Sequence, residues 1–167
     1  MRTSWHCACD RDQAGGVMPE KATLRRARRD KRQGKAATTQ AGEFVREEMH
    51  HVREGKHGAR STKQAIAIGL SKARRSGVKL GKPPRGAKQT TKRSAASASR
   101  ASGRRRKTST RRSQATKRAL KREGRGAASR RSLARQAKSA AQRRSRSARS
   151  ASARKAARTR KRERASA

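Results

Sequence analysis

Residues 61–80 read STKQAIAIGLSKARRSGVKL. Within them AIAIGL, residues 65–70, is the one run of six consecutive apolar or glycine residues in a chain that is 37% charged. At about 100° per residue, a helix puts Ile66, Gly69, Leu70 and Ala73 on one face, with Ala65 and Ile68 pointing elsewhere. A strand would instead alternate Ile66, Ile68 and Leu70 with Ala67 and Gly69. The ends of the stretch decide for the helix. Ser61-Thr62-Lys63-Gln64 has the form of a capping box. Lys72, Arg74 and Arg75 crowd the last turn, where cations suit the helix dipole. Gly77 stands where a left-handed stop belongs. The stretch therefore predicts a helix over about 62–76 and a mostly α fold.

Working outward, TTQAGEFVREEMHHVREGKHG (38–58) repeats the pattern. Ala41, Phe44, Val45, Met49 and Val52 follow the spacing of one helical face. Thr39 is placed as N-cap and Gly55 as stop, giving a helix over about 40–54. Glu48 falls inside the stripe and is read as lying at its edge. Upstream, residues 20–33 are rich in Arg and Ala and end at Gly34, a solvated basic helix. Phe44, Val45, Met49, Val52, Ile66, Ile68 and Leu70 form the expected core. A helix apolar on most sides needs cover from more than one direction. Val78 and Leu80 folding back, or a homodimer through residues 40–80, would supply it, because so short a module is marginal alone.

Charge divides the 167 residues unevenly. Residues 1–17 carry two basic and two acidic residues, 18–86 carry 19 and 6, and 87–167 carry 30 and 2, within a formal net charge of +41. Met18-Pro19 opens the middle segment and Lys82-Pro83-Pro84 closes it; the Pro-Pro pair does not continue a helix. The first segment holds Cys7, Cys9 and the one Trp. His6, Cys7, Cys9 and Asp10 lack the paired spacing of a zinc site. They are read as an extension ahead of a start at Met18, with no disulfide framework. No run approaches the roughly 20 apolar residues of a membrane span, and no secretory signal is legible. The expected place is the cytoplasm, in a bacterial nucleoid.

Residues 87–167 contain 22 Arg, 8 Lys, 20 Ala and 14 Ser, with Leu120 and Leu133 as the two larger aliphatics. Such a segment has nothing with which to build a core of its own. The expectation is a basic tail, intrinsically disordered or helical on binding, behind a small helical hairpin module. Its cation clusters are Arg104-Arg105-Arg106-Lys107, Arg111-Arg112, Arg130-Arg131, Arg143-Arg144 with Arg146, and Arg154-Lys155 with Arg158, Arg160, Lys161 and Arg162. With Lys72, Arg74 and Arg75 of the module they form the expected nucleic-acid-binding set. Duplex DNA presents about one charge per 1.7 Å, so the tail's excess charge matches roughly 14 base pairs. No aromatic residue interleaves the cations, which argues against single-strand stacking and the common RNA modules. Phosphate contacts carry no base information, so binding should be largely sequence-independent.

Lys63-Gln64-Ala65-Ile66-Ala67-Ile68 and Gly69-Leu70-Ser71-Lys72-Ala73, after the His51-x-x-x-Gly55-Lys56 stretch, resemble a small bacterial family of unknown function. The resemblance spans roughly residues 18–86 and implies a helical module with no assigned activity. The tail resembles the basic arms of bacterial histone H1-like proteins, although those are Lys- and Pro-rich and this one is Arg-rich without Pro.

No catalytic set, phosphate loop, cofactor or metal site is expected. Adjacent His50 and His51 point about 100° apart, and Glu47 with His51 reads as an i, i+4 surface pair. Two bulky tail residues are too few for a membrane-active helix. The sequence thus predicts a histone-like, nucleoid-associated protein that compacts or bridges duplex DNA. The alternatives are an RNA- or ribosome-associated protein, and a base-reading module at residues 61–76 with an auxiliary tail.

Overall fold

A computed structural model describes residues 19–84, 86–102 and 109–165. Among them are seven α-helices and no strand: α1 (Lys21–Arg32), α2 (Ala37–Glu54), α3 (Thr62–Arg75), α4 (Gln89–Arg100), α5 (Thr110–Arg122), α6 (Arg130–Gln142) and α7 (Arg146–Ala165). A 3-10 turn, Gly126–Ala128, lies between α5 and α6. Cys7, Cys9 and the Arg104–Lys107 cluster lie outside the described residues.

The three expected helices form within a few residues of their predicted ends. Ser61 caps α3, its hydroxyl accepting from the Gln64 backbone N–H at 3.2 Å. The box is displaced by one residue: the Gln64 side chain accepts from the N–H of Arg60, not of Ser61. α2 begins before Thr39, which is not its cap; Ala36 holds that position, and its carbonyl accepts from Thr39 and Gln40. Gly55 ends α2 at φ 77°, a left-handed conformation that costs glycine little. The N–H of Lys56 then reaches the His51 carbonyl and that of Gly55 the Val52 carbonyl, a Schellman closure that turns the chain back along α2.

α2 is the central element, packed on α1 along one side and on α3 along another. The α2–α3 crossing is close because of Gly69. A Cβ there would sit 2.7 Å from the Val45 Cα and 3.1 Å from the Phe44 carbonyl oxygen. This corrects the expected core of α3. Its buried apolar contacts are Ala65, Gly69 and Ala73, whereas Ile66, Ile68 and Leu70 are half-buried. Small residues admit the neighbouring backbone; the branched ones are displaced to the flanks. Ile68 belongs to neither core cluster.

The core has two parts. Phe44 and Ala41 of α2 meet Ala27 of α1 and Ala73 of α3, flanked by Leu24, Leu70, Val78 and Leu80. Val78 and Leu80 therefore fold back as expected. Met49 and Val52 meet Ala59, Ala65, Ala127 and Ala128, flanked by Val45, Ile66 and Leu133. Phe44 and Val52 are fully buried, each contributing about 1.5–3 kcal/mol.

Ala127, Ala128 and Leu133 belong to the segment expected to be disordered, and here the expectation fails. Helices continue to Ala165, as befits a segment rich in alanine and arginine. The stretch around the 3-10 turn is also docked on the module. The Gly58 N–H donates to the Leu120 carbonyl at 2.8 Å, and the Ala59 N–H to that of Gly124 at 3.2 Å. Thr62 Oγ1 donates to the Ala127 carbonyl at 2.6 Å, and Arg53 Nε to that of Ala128 at 2.9 Å. A Cβ on Gly58 would overlap the Glu123 carbonyl, so this contact needs glycine. Hydrogen bonds to backbone carbonyls, two alanine methyls and Leu133 make the junction, features that leave little trace in hydropathy.

Candidate nucleic-acid interface

The expected binding residues separate into three groups. Lys72 is withdrawn from any surface. Its side chain is 5% exposed, and Nζ lies 2.7 Å from Glu48 Oε2 and 3.4 Å from Glu47 Oε1. A lysine at the end of a basic helix reads as solvated, but α3 turns this one toward α2. Arg74 is half-buried, with its guanidinium donating to the Gly81 carbonyl at 2.9 Å. Arg75 is exposed.

The tail cations of the expected binding set that lie in the described residues are all exposed. Arg111 and Arg112 stand at the start of α5, Arg130 and Arg131 at the start of α6, and Arg143 and Arg144 just past its end. Arg146, Arg154, Lys155, Arg158, Arg160, Lys161 and Arg162 project from α7. α7 spans about 30 Å at 1.5 Å per residue. Every one of its residues is exposed, with nine Lys or Arg against the single acid Glu163. It has no buried face, so hydrophobic packing does not hold it in place.

α1 adds cations that composition alone did not single out. Thr23, Ala27 and Asp30 turn inward, which leaves Arg25, Arg28, Arg29 and Arg32 exposed together. Their spacing of i, i+3, i+4 and i+7 is one helical face, a signal present in the sequence but read there only as solvation. Arg60, Lys63 and Arg135 line a cleft of about 640 Å³ between the start of α3 and α6, with Glu123 on its wall. Arg135 reaches it because the 3-10 turn docks α6 beside α3.

Beneath these surfaces lies a buried charged cluster. Glu48 is fully buried, so the reading of it as a stripe-edge residue is corrected. Its Oε1 faces His57 Nε2 at 3.1 Å and its Oε2 faces Lys72. Burial pushes the Glu48 carboxyl up, but His57 and Lys72 outweigh it and hold the group below the usual range. His57 is moved up, chiefly by Glu48, against the opposing effect of burial and with help from the Gly58 carbonyl. His51 is buried as well and meets Glu20 Oε1 at 2.8 Å through Nε2, not Glu47 at the surface. That contact lowers the Glu20 carboxyl.

The stretch from the last residues of α1 through α2, α3 and the Pro83-Pro84 pair carries the family likeness. Residues 31–85 match DUF6496, a family of unknown function. The expected family likeness over the module is thus found, on a somewhat shorter span. The DUF6496 stretch includes Glu48, His51, His57, Gly69 and Lys72. It leaves out Glu20, the α1 arginine stripe before Lys31, and all of α4 to α7. No match was found among the curated proteins or the solved structures. Among the described residues no helix is long and apolar enough to cross a membrane.

Proposed function

We propose that this protein binds duplex nucleic acid, DNA above RNA, through phosphate neutralisation with little regard to sequence, and compacts or bridges it in a bacterial nucleoid. The observation that carries this reading is α7. It is a fully exposed helix with nine cations and no buried face, a form that serves a polyanion and not a protein core. Two further features support it. The α1 arginine stripe lies on a separate element, so contacts are available from module and tail alike. None of the seven helices has an acidic residue in its first turn. On α6, Arg130 and Arg131 stand at the positive end of the dipole, a repulsion that a phosphate there would relieve.

The test compares the full chain with a chain ending at residue 145, titrated onto duplex DNA and structured RNA at 50 and 200 mM salt. Truncation at 145 leaves the docked residues 120–133 in place. With 6–10 phosphate contacts, affinity for DNA falls roughly 10³–10⁵-fold across that salt range. Loss of α7 weakens binding and flattens the slope. Preference for structured RNA would favour a ribosome-associated role. Tight binding of one DNA sequence with a shallow slope would favour α3 as a base reader.

A further inference from the structure

Glu48, His51 and His57 each offer one ligand atom, and these atoms lie within 4.8 Å of one another. Their positions follow from the fold. Glu48 and His51 are i, i+3 on α2 and share a face. Gly55 stops the helix and returns the chain so that His57 lands opposite them. Glu48 is fully buried, His51 is 6% exposed and the His57 side chain is 10% exposed.

Two observations mark this as more than an ion-pair network. The first concerns hydrogen bonds. His57 Nδ1 lies 3.1 Å from the Gly58 carbonyl oxygen, which can only accept. With the ring proton there, Nε2 presents a lone pair to Glu48 Oε1. Glu48 Oε1, Glu48 Oε2 and His57 Nε2 are all buried without a hydrogen bond of good geometry, although Oε1 lies 3.1 Å from Nε2 and Oε2 lies 2.7 Å from Lys72 Nζ. The second concerns charge. Among the described residues Lys72 is the permanent cation facing the buried Glu47 and Glu48, so charge balance there needs a second cation, either a proton on His57 or a bound ion. Such an imbalance is costly in a low-dielectric setting.

We propose that Glu48, His51 and His57 bind a divalent transition-metal cation, with zinc as the preferred ion, and that Glu20 closes the site as fourth ligand. Glu20 Oε1 already touches His51 Nε2. Two imidazoles and two carboxylates suit zinc, whose tetrahedral donors stand roughly 3.3 Å apart at bond lengths near 2.0–2.1 Å. The Glu48–His57 pair has that separation now, and the His51 side contracts to reach it. The remaining contacts serve as outer partners. Gly58 fixes the His57 tautomer, and Lys72 holds the second Glu48 oxygen so that Oε1 faces the ion. The ion ties α2, the return loop and the chain ahead of α1 together.

Cobalt(II) is the probe, added to the full chain carrying Cys7→Ser and Cys9→Ser so that no thiolate competes. The expected result is one equivalent bound, with the strong visible bands of tetrahedral cobalt, and release on adding zinc. His51→Ala weakens binding about 10-fold or more, the scale on which even outer partners act. Because that variant could lose its fold, His57→Cys supplies a positive readout: a sulfur-to-cobalt charge-transfer band appears in the near ultraviolet. Absence of cobalt binding, or an unchanged spectrum for His57→Cys, overturns the proposal and leaves a proton as the cation that balances Glu48.

Discussion

At the scale of single residues, Gly69 and Lys72 decide how α2 and α3 meet. Gly69 admits the Val45 backbone. Gly69→Ala improves helix propensity by about 1 kcal/mol, but the added methyl meets backbone, which yields less than a side chain. Overpacking of this kind costs typically 1–3 kcal/mol, so the net expectation is destabilisation, measured by urea unfolding followed by circular dichroism. Lys72→Met removes the permanent cation beside Glu47 and Glu48. Leaving a buried charge without its partner costs about 3–5 kcal/mol. If Lys72 instead served phosphate binding, the variant would unfold like the parent and bind DNA less tightly.

The buried cluster also sets a pH dependence. The Glu48 carboxyl is lowered on folding, so its stabilisation is present above the unfolded value of about 4.3 and is lost as pH falls through the folded one. His57 is raised, so its stabilisation is complete below about 6.5 and is lost as pH rises through its folded value. In a chelating buffer, unfolding free energy should be greatest between about pH 5 and 6.5 and decline on both sides. His57→Gln should flatten the alkaline decline and leave the acid one.

At the scale of elements, the junction between Gly58 and Glu123 separates a docked tail from a free one. Gly58→Ala places a methyl on the Glu123 carbonyl. The expected outcome is faster hydrogen exchange at residues 120–133 and at Ala59, with α1 and the α2–α3 crossing at Gly69 still protected. Uniform loss of protection would mean that the module does not hold together without the docked segment. The α1 stripe makes a separate prediction. Changing Arg25, Arg28, Arg29 and Arg32 to Gln removes up to four phosphate contacts, lowering the salt slope by up to about 3.6 without changing stability much.

At the scale of the whole molecule, cover and charge are divided between different parts of the chain. The α2–α3 hairpin is covered on one side by α1, Val78 and Leu80, and on the other by Ala127, Ala128 and Leu133. Much of the cover that seemed to call for a second copy of the chain is therefore supplied from within it. α7, beyond that packing, has no buried residue and offers its cations to solvent. The molecule should accordingly show a tail that loses affinity steeply with salt and a module whose unfolding responds to pH.

The sequence alone determined the helices of the module, because caps, glycine stops and apolar spacing are local and act within a few residues. It determined the cationic character of the surface, because so many Lys and Arg have nowhere else to go. The family likeness over residues 31–85 was legible for the same reason, in a run of adjacent residues. Tertiary structure decided which α3 residues face α2, because a close crossing selects by size and not by hydropathy, favouring Ala65, Gly69 and Ala73 over Ile66 and Ile68. It decided that Lys72 is an internal cation and Glu48 an internal anion, since each lacks meaning without the other across the helix pair. It brought His51 and His57 beside Glu48 through a glycine turn, and Glu20 beside His51 from a neighbouring segment. It also docked the tail, through backbone groups of Gly58, Ala59, Leu120 and Gly124 that every sequence possesses and only a folded chain brings into register.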